Sequence, residues 1–258
     1  MKHLFRLTFI FLFFCSCAVS KAKPSEAGTI ALLGDSMTWI GGDSCEKPEG
    51  WSHYLKEQFP KSEIDVYARS GATWTNAVGT KGDPEAYSKV IDDENVIYNQ
   101  VSRLIYSAEK DPGKRPDLII IYAGANDAWF EKKRPGIYGS KTVPEDISKC
   151  RPSDFTTLVS SIELGVRRLQ QAFPEALIVL VSPIEMAQTT PERIARVGDT
   201  IEKTGERLGV EVLRADRNVP VRHSEEKQKR RYTSDGAHTN PQGARLIADY
   251  IINAIFED

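Results

Sequence analysis

The segment Leu118-Ile119-Ile120-Ile121-Tyr122 most narrows what this chain can become. It is five apolar residues in a row, without polar alternation, and it stops at Gly124-Ala125-Asn126-Asp127. Such a run reads as a strand buried on both faces, and strands of that kind belong to parallel sheets covered by helices. Similar short runs occupy 29–33, 64–67, 176–181 and 210–213. Helical spacing fills the intervals between them. Trp51, Leu55 and Phe59 share a face, as do Val101, Leu104, Ile105 and Ala108. A long amphipathic helix is expected from Ser153, with Leu158, Ile162, Val166 and Leu169 on one side. Another is expected over 191–208, ended by Gly209, and a last one over 241–256 with proline at its first turn. Strands and helices alternate without repeats or a linker. That pattern predicts one three-layer α/β/α domain around a five-stranded, mostly parallel sheet.

The chain has 258 residues, which allows one large domain or two small ones. Its 40% of hydrophobic residues suffices for a substantial core. A formal net charge of −2 lacks the basic excess that nucleic-acid binding requires. The N-terminus is a different kind of segment. Lys2, His3 and Arg6 precede an apolar stretch over 7–15 that is too short to span a bilayer, and small residues follow. Residues 1–22 are expected to be a secretory signal, leaving 23–258 as the mature domain. Ser20-Lys21-Ala22 suits ordinary cleavage, whereas Phe14-Cys15-Ser16-Cys17 resembles a loose bacterial lipobox with Cys17 as the lipidated residue. Both readings place the protein outside the cytoplasm, periplasmic or secreted, touching membrane only through such an anchor. Cys45 and Cys150 remain after cleavage. An exported compartment permits a disulfide between them, and both fall in loops expected on one face.

The chemistry gathers at the strand ends. Ser36 follows the first strand in Gly34-Asp35-Ser36, Gly71 follows the second, and Asn126 follows the third. Asp235-Gly236-Ala237-His238 follows the fifth. A parallel sheet carries all of these loops to one edge, where such folds place their ligands. Taken singly, Ser36 could cap a helix and Gly71 could serve a turn. Together, a serine, an aspartate and a histidine are the parts of a hydrolytic triad. His238 would take the Ser36 proton and return it to the leaving alcohol, while Asp235 orients the imidazole. The other histidines compete poorly: His3 leaves with the signal, His53 lies within a helix, and His223 sits in the charge run 222–231, read as a solvated face. Asp127 is expected to brace its loop.

These blocks resemble those of the SGNH hydrolases, also called the GDSL esterase/lipase family. Gly34-Asp35-Ser36, Gly71, Gly124-Ala125-Asn126-Asp127 and Asp235-Gly236-Ala237-His238 occur in that family's order and cover nearly the whole mature chain. Met37 replaces the leucine usual after the serine. The resemblance implies a flavodoxin-like sandwich with neither metal nor organic cofactor. It also implies an oxyanion hole made by the Ser36 and Gly71 backbone N–H groups and the Asn126 side chain.

Three of the four tryptophans lie three residues after an oxyanion-hole position: Trp39, Trp74 and Trp129. Together they suggest an aromatic cleft for the substrate. No long apolar lid segment is present. The expected activity is therefore a serine esterase removing O-acetyl groups from carbohydrate. The alternatives are a lipase, lysophospholipase or thioesterase on the same site, and a non-catalytic carbohydrate-binding protein. Two polar insertions, 76–94 and 131–150, are expected to shape specificity.

Overall fold

A computed structural model describes residues 28–84 and 92–256. The expected signal segment, the Cys17 anchor and residues 85–91 of the first insertion lie outside the described residues.

Five strands form the centre: β1 (Thr29–Gly34), β2 (Glu63–Val66), β3 (Leu118–Tyr122), β4 (Leu177–Val181) and β5 (Glu211–Leu213). Their order is β2-β1-β3-β4-β5 and every pairing is parallel. The order is the flavodoxin-like one, in which the crossovers switch direction between β1 and β3. The expectation of a mostly parallel sheet sharpens to a wholly parallel one. The register places Leu33 beside Ile121 and Ile121 beside Leu180, so the three central strands end level.

The apolar runs are continuous because each strand is covered twice. Ala31, Leu33, Ile119, Ile121, Ile178 and Leu180 face one layer. That layer contains α3 (Ile97–Lys110), α5 (Leu158–Ala172) and α6 (Pro191–Leu208). Ile30, Leu32, Leu118, Ile120, Val179 and Val181 face the other, formed chiefly by α2 (Trp51–Gln58) and α9 (Pro241–Phe256). Successive side chains point to opposite faces, so a strand between two helical layers can spare no polar position.

The helix ends show how locally the boundaries are set. Pro191 opens α6 behind the Thr190 cap, and Gly209 closes it at φ +68°. The expected start of α5 at Ser153 is corrected. Ser153 lies in a 3-10 turn, Pro152–Asp154, and the helix begins at Leu158. Thr157 and Ser160 form a reciprocal capping box there, satisfying N–H groups that the first turn leaves open.

The expected bridge between Cys45 and Cys150 is also corrected: both thiols are free. Cys45 is buried with α2 and α9 against one face of the sheet. Cys150 packs on a separate small cluster of Val143, Ile147, Phe155 and Leu164. Burial pushes the Cys45 thiol up to about 11, so it remains protonated at neutral pH.

Candidate active site

β1 delivers Ser36 to the sheet edge through a turn that only glycine can make. Gly34 has φ +153°, and a Cβ there would sit 2.3 Å from the Tyr122 carbonyl oxygen. The turn is then fixed twice. Asp35 caps α1 (Ser36–Trp39) by accepting from the Met37 N–H at 3.0 Å. Gln100 of α3 accepts from the Gly34 N–H and donates to the Gly34 carbonyl, each at 2.8 Å. Ser36 is thus the first residue of a short helix on a pinned strand end, with its side chain partly open to solvent.

The loop after β5 brings His238 to that serine. His238 Nε2 lies 2.9 Å from Ser36 Oγ, and Nδ1 lies 2.6 Å from Asp235 Oδ2. A proton on Nδ1 facing the carboxylate leaves the Nε2 lone pair for the hydroxyl. Asp235 Oδ1 also accepts from the Ala237 and His238 backbone N–H groups at 2.9 and 2.8 Å. Partial burial pushes the Asp235 carboxyl up. The His238 bond and the two backbone donors outweigh that, and its pKa settles below the usual carboxylate value. Asp235 is therefore ionised wherever the imidazole needs it. The loop is tied down by Gln188 donating to the Asp235 carbonyl at 2.8 Å and by Ala187 donating to the Gly236 carbonyl at 2.7 Å.

Glu226 anchors the other side of this loop. It is 0% exposed, and it accepts from the Tyr232 and Thr233 backbone N–H groups and the Thr233 hydroxyl. The reading of 222–231 as a solvated face holds for 224 and 227–231, which are exposed, and is corrected at Glu226. The run contains α8 (His223–Gln228), which turns Glu226 inward. His223 is half-buried, with Nδ1 2.8 Å from the Met186 carbonyl and its N–H donating to Glu185. His53 lies in α2, with Nδ1 3.0 Å from the Cys45 carbonyl.

Three further groups stand at the same edge. Gly71 has φ +77°, a conformation open to glycine at little cost. Neither its N–H nor that of Ser36 has an acceptor among the described residues. Asn126 is buried in α4 (Ala125–Trp129), and its Nδ2 donates to the Ala72 carbonyl at 3.0 Å, leaving its second N–H free for a ligand. Asp127, beside it, accepts from the Trp74 and Thr75 backbone N–H groups at 2.9 Å and from the Thr75 hydroxyl at 2.7 Å. The loop that carries Gly71 and the helix that carries Asn126 are therefore bolted together.

The three tryptophans part company. Trp39 and Trp129 are 42% and 38% exposed, at the outer ends of α1 and α4. Trp129 stacks on Phe130 at 5.0 Å with 9° between the rings. Trp74 is corrected: it is 1% exposed and packs in the core with Leu158 and Ile162, so it walls no cleft. Among the described residues, no group of three or more His, Cys, Asp and Glu side chains is placed to hold a metal ion.

Gln100 and Glu226 escaped the sequence reading because nothing local marks them. Gln100 matters through Gly34, 66 residues away, and Glu226 through Tyr232 and Thr233, which the chain folds back onto it just beyond α8. Asp35 carried one weak signal, its place as a helix cap before Ser36. Buried, and with Asp127 nearby, its carboxyl is pushed up to about 7 despite the bond from Met37.

No curated protein sequence matches the chain at a significant level. Solved structures do resemble it. A Lactobacillus plantarum protein superposes with a TM-score of 0.61 at 19% identity, covering 89% of this chain and 98% of that one. A GDSL-like lipase from Bacteroides thetaiotaomicron gives 0.52 at 17% identity, covering 91% of each chain. A member of the lipolytic G-D-S-L family from Veillonella parvula gives 0.54 at 12%, covering 88% and 97%. At these identities the likeness speaks for the fold. The sequence itself matches the model of the GDSL-like Lipase/Acylhydrolase family over residues 32–246. With that match spanning most of the chain, the protein belongs to the GDSL-like lipase/acylhydrolase family and is a carboxylic ester hydrolase.

Proposed function

We propose that the protein is a serine esterase that removes O-acetyl groups from carbohydrate. The observation that carries the mechanism is the position of His238, within hydrogen-bond reach of both Ser36 Oγ and Asp235. A serine hydroxyl is a weak nucleophile until a neighbouring base takes its proton. His238 Nε2 is that base. As Ser36 Oγ bonds to the acyl carbon, its proton moves to Nε2 and the carbonyl becomes an oxyanion. Asp235 stabilises the imidazolium and holds its tautomer. The proton then passes to the leaving alcohol, giving an acyl-serine. Water, deprotonated by the same nitrogen, releases acetate and restores Ser36.

The oxyanion is met by the N–H groups of Ser36 and Gly71 and the free N–H of Asn126. Each is a preorganised donor in a partly dry site, and one such donor contributes about 3–4 kcal/mol to lowering the barrier. A small acyl group fits this reading because the exposed large hydrophobic residues among the described ones are only Trp39, Val78, Tyr106 and Trp129, too few to sheath a long chain. A carbohydrate alcohol fits because Trp39 and Trp129 present flat, half-exposed faces beside Ser36 and Asn126. Expected export of the chain would bring the enzyme to extracellular polymers.

Initial rates on aryl acetate, butyrate and decanoate, with acetate release from acetylated oligosaccharides, test this. The acetate ester should be fastest and the sugars should lose acetate. Equal turnover of decanoate, with no acetate from any sugar, would overturn the substrate class while leaving the ester chemistry in place.

A further inference from the structure

The two polar insertions meet in one cavity. Thr73, Asn76 and Asp93 form one wall, and Phe130, Lys133 and Arg134 form another, around about 330 Å³. That volume is at the lower end of the range of about 300–1,000 Å³ typical of small-ligand pockets. Both walls grow out of the candidate active site. Thr73 is two residues beyond Gly71, at most about 7 Å along the chain. Phe130 follows Asn126 by one helical turn, about 6 Å. Trp129, at the end of the helix that carries Asn126, stacks on Phe130, which lines the cavity. An ester held at Ser36 by its acyl carbon would thus reach this space with its alcohol part.

We propose that the cavity is the subsite for that alcohol part, and that its occupant is a sugar ring bearing a carboxylate. The inference rests on the carbohydrate reading above. Phe130 borders the cavity, and Lys133 stands over its ring, the ammonium 5.2 Å from the ring centroid. Arg134 spends one nitrogen on the Thr75 carbonyl at 2.6 Å, and the rest of its fork has no acceptor among the described residues. No ion pair joins either cation to Asp93 or to any other carboxylate among the described residues. Two cations that line one small cavity, with no carboxylate partner among the described residues, suit a ligand carboxylate, which Arg binds in bidentate fashion. Asp93 is the complement, an acceptor for ring hydroxyls. Asn76, itself buried, adds an Oδ1 that has no donor among the described residues.

The test compares acetylated uronate oligosaccharides with acetylated neutral oligosaccharides of equal length, on the mature protein and on Lys133→Glu, with thermal unfolding confirming that both fold. The wild type should favour the acidic substrate by at least tenfold in kcat/KM. Lys133→Glu should erase that preference through KM, with kcat nearly kept. Unacetylated uronate trimer should inhibit aryl acetate hydrolysis competitively in the wild type, and at least tenfold more weakly in the variant. If neutral and acidic sugars are deacetylated equally by both proteins, the subsite is wrong and the carbohydrate reading stands. If neither sugar loses acetate while aryl acetate is cleaved, and the trimer does not inhibit, both fall.

Discussion

The side-chain amide of Gln100 grips Gly34 by both backbone groups, accepting from its N–H and donating to its carbonyl at 2.8 Å each. Gly34 is the last residue of β1 and stands two residues before Ser36. Strand pairing with β2 ends at Leu32 and Val66, and beyond it the Gly34 carbonyl also accepts from the Arg69 N–H at 3.1 Å. Gln100 of α3 supplies the acceptor for the Gly34 N–H and a second donor for its carbonyl, and so holds the turn that carries Ser36.

Replacing Gln100 by Leu should therefore be costly. The buried Gly34 N–H loses its acceptor, while the Gly34 carbonyl keeps the Arg69 N–H, a destabilisation of about 1–3 kcal/mol. Urea unfolding should show a lower midpoint with little change in slope.

Asp35 makes stability depend on pH. Its carboxyl titrates near 3.8 when solvated and about 7 in the fold, since burial opposes ionisation. Between those values the native state holds a proton that the unfolded chain has released. Stability is fully present below pH 3.8 and is lost as pH rises through about 7. Asp35→Asn keeps the acceptor for Met37 and removes the charge. Its unfolding free energy should fall less than the wild type's between pH 5 and pH 8.

Glu226 should matter for both stability and rate. Glu226→Ala strands three donors on Tyr232 and Thr233, just ahead of Asp235 and His238. The expected loss is about 3 kcal/mol or more, with a lower kcat on aryl acetate. Glu226→Gln, which keeps an acceptor oxygen, should recover part of both. Calorimetry and initial rates on the three proteins check this.

Asp127 should act through the oxyanion donors. Asp127→Ala cuts the three bonds from Trp74 and Thr75 that hold the Gly71 loop to α4. Displacing one donor should lower kcat by about 10²-fold, with a much smaller change in KM. A drop confined to KM would show that the loop serves binding alone.

The sequence made the frame legible wherever a residue's role is local. The apolar runs that became β1, β3 and β4 declare two-sided burial by themselves. Pro191 with Gly209, and Pro241, mark the ends of α6 and the start of α9 through their own backbone chemistry. Ser36, Asp235 and His238 could be placed at one edge because parallel strands bring every βα loop to the same side. Roles decided by how the chain folds back on itself were hidden. Glu226 looks like one charge among many in 222–231 until Tyr232 and Thr233 fold back onto it. Trp74 has the same spacing from Gly71 that Trp39 has from Ser36. Spacing along a loop does not say which side of the loop a ring takes, and Trp74 turned inward into the core on the α5 side of the sheet.

The central claim is that Ser36 is the nucleophile activated by His238. The most direct test is a serine-directed phosphonate on the protein, with peptide mass mapping, beside Ser36→Ala and His238→Ala. The wild type should carry one adduct, on Ser36. The Ser36 variant should carry none, the His238 variant should react far more slowly, and both should lose about 10⁴-fold or more in aryl acetate turnover. An adduct on another residue, or full turnover in Ser36→Ala, would contradict the account.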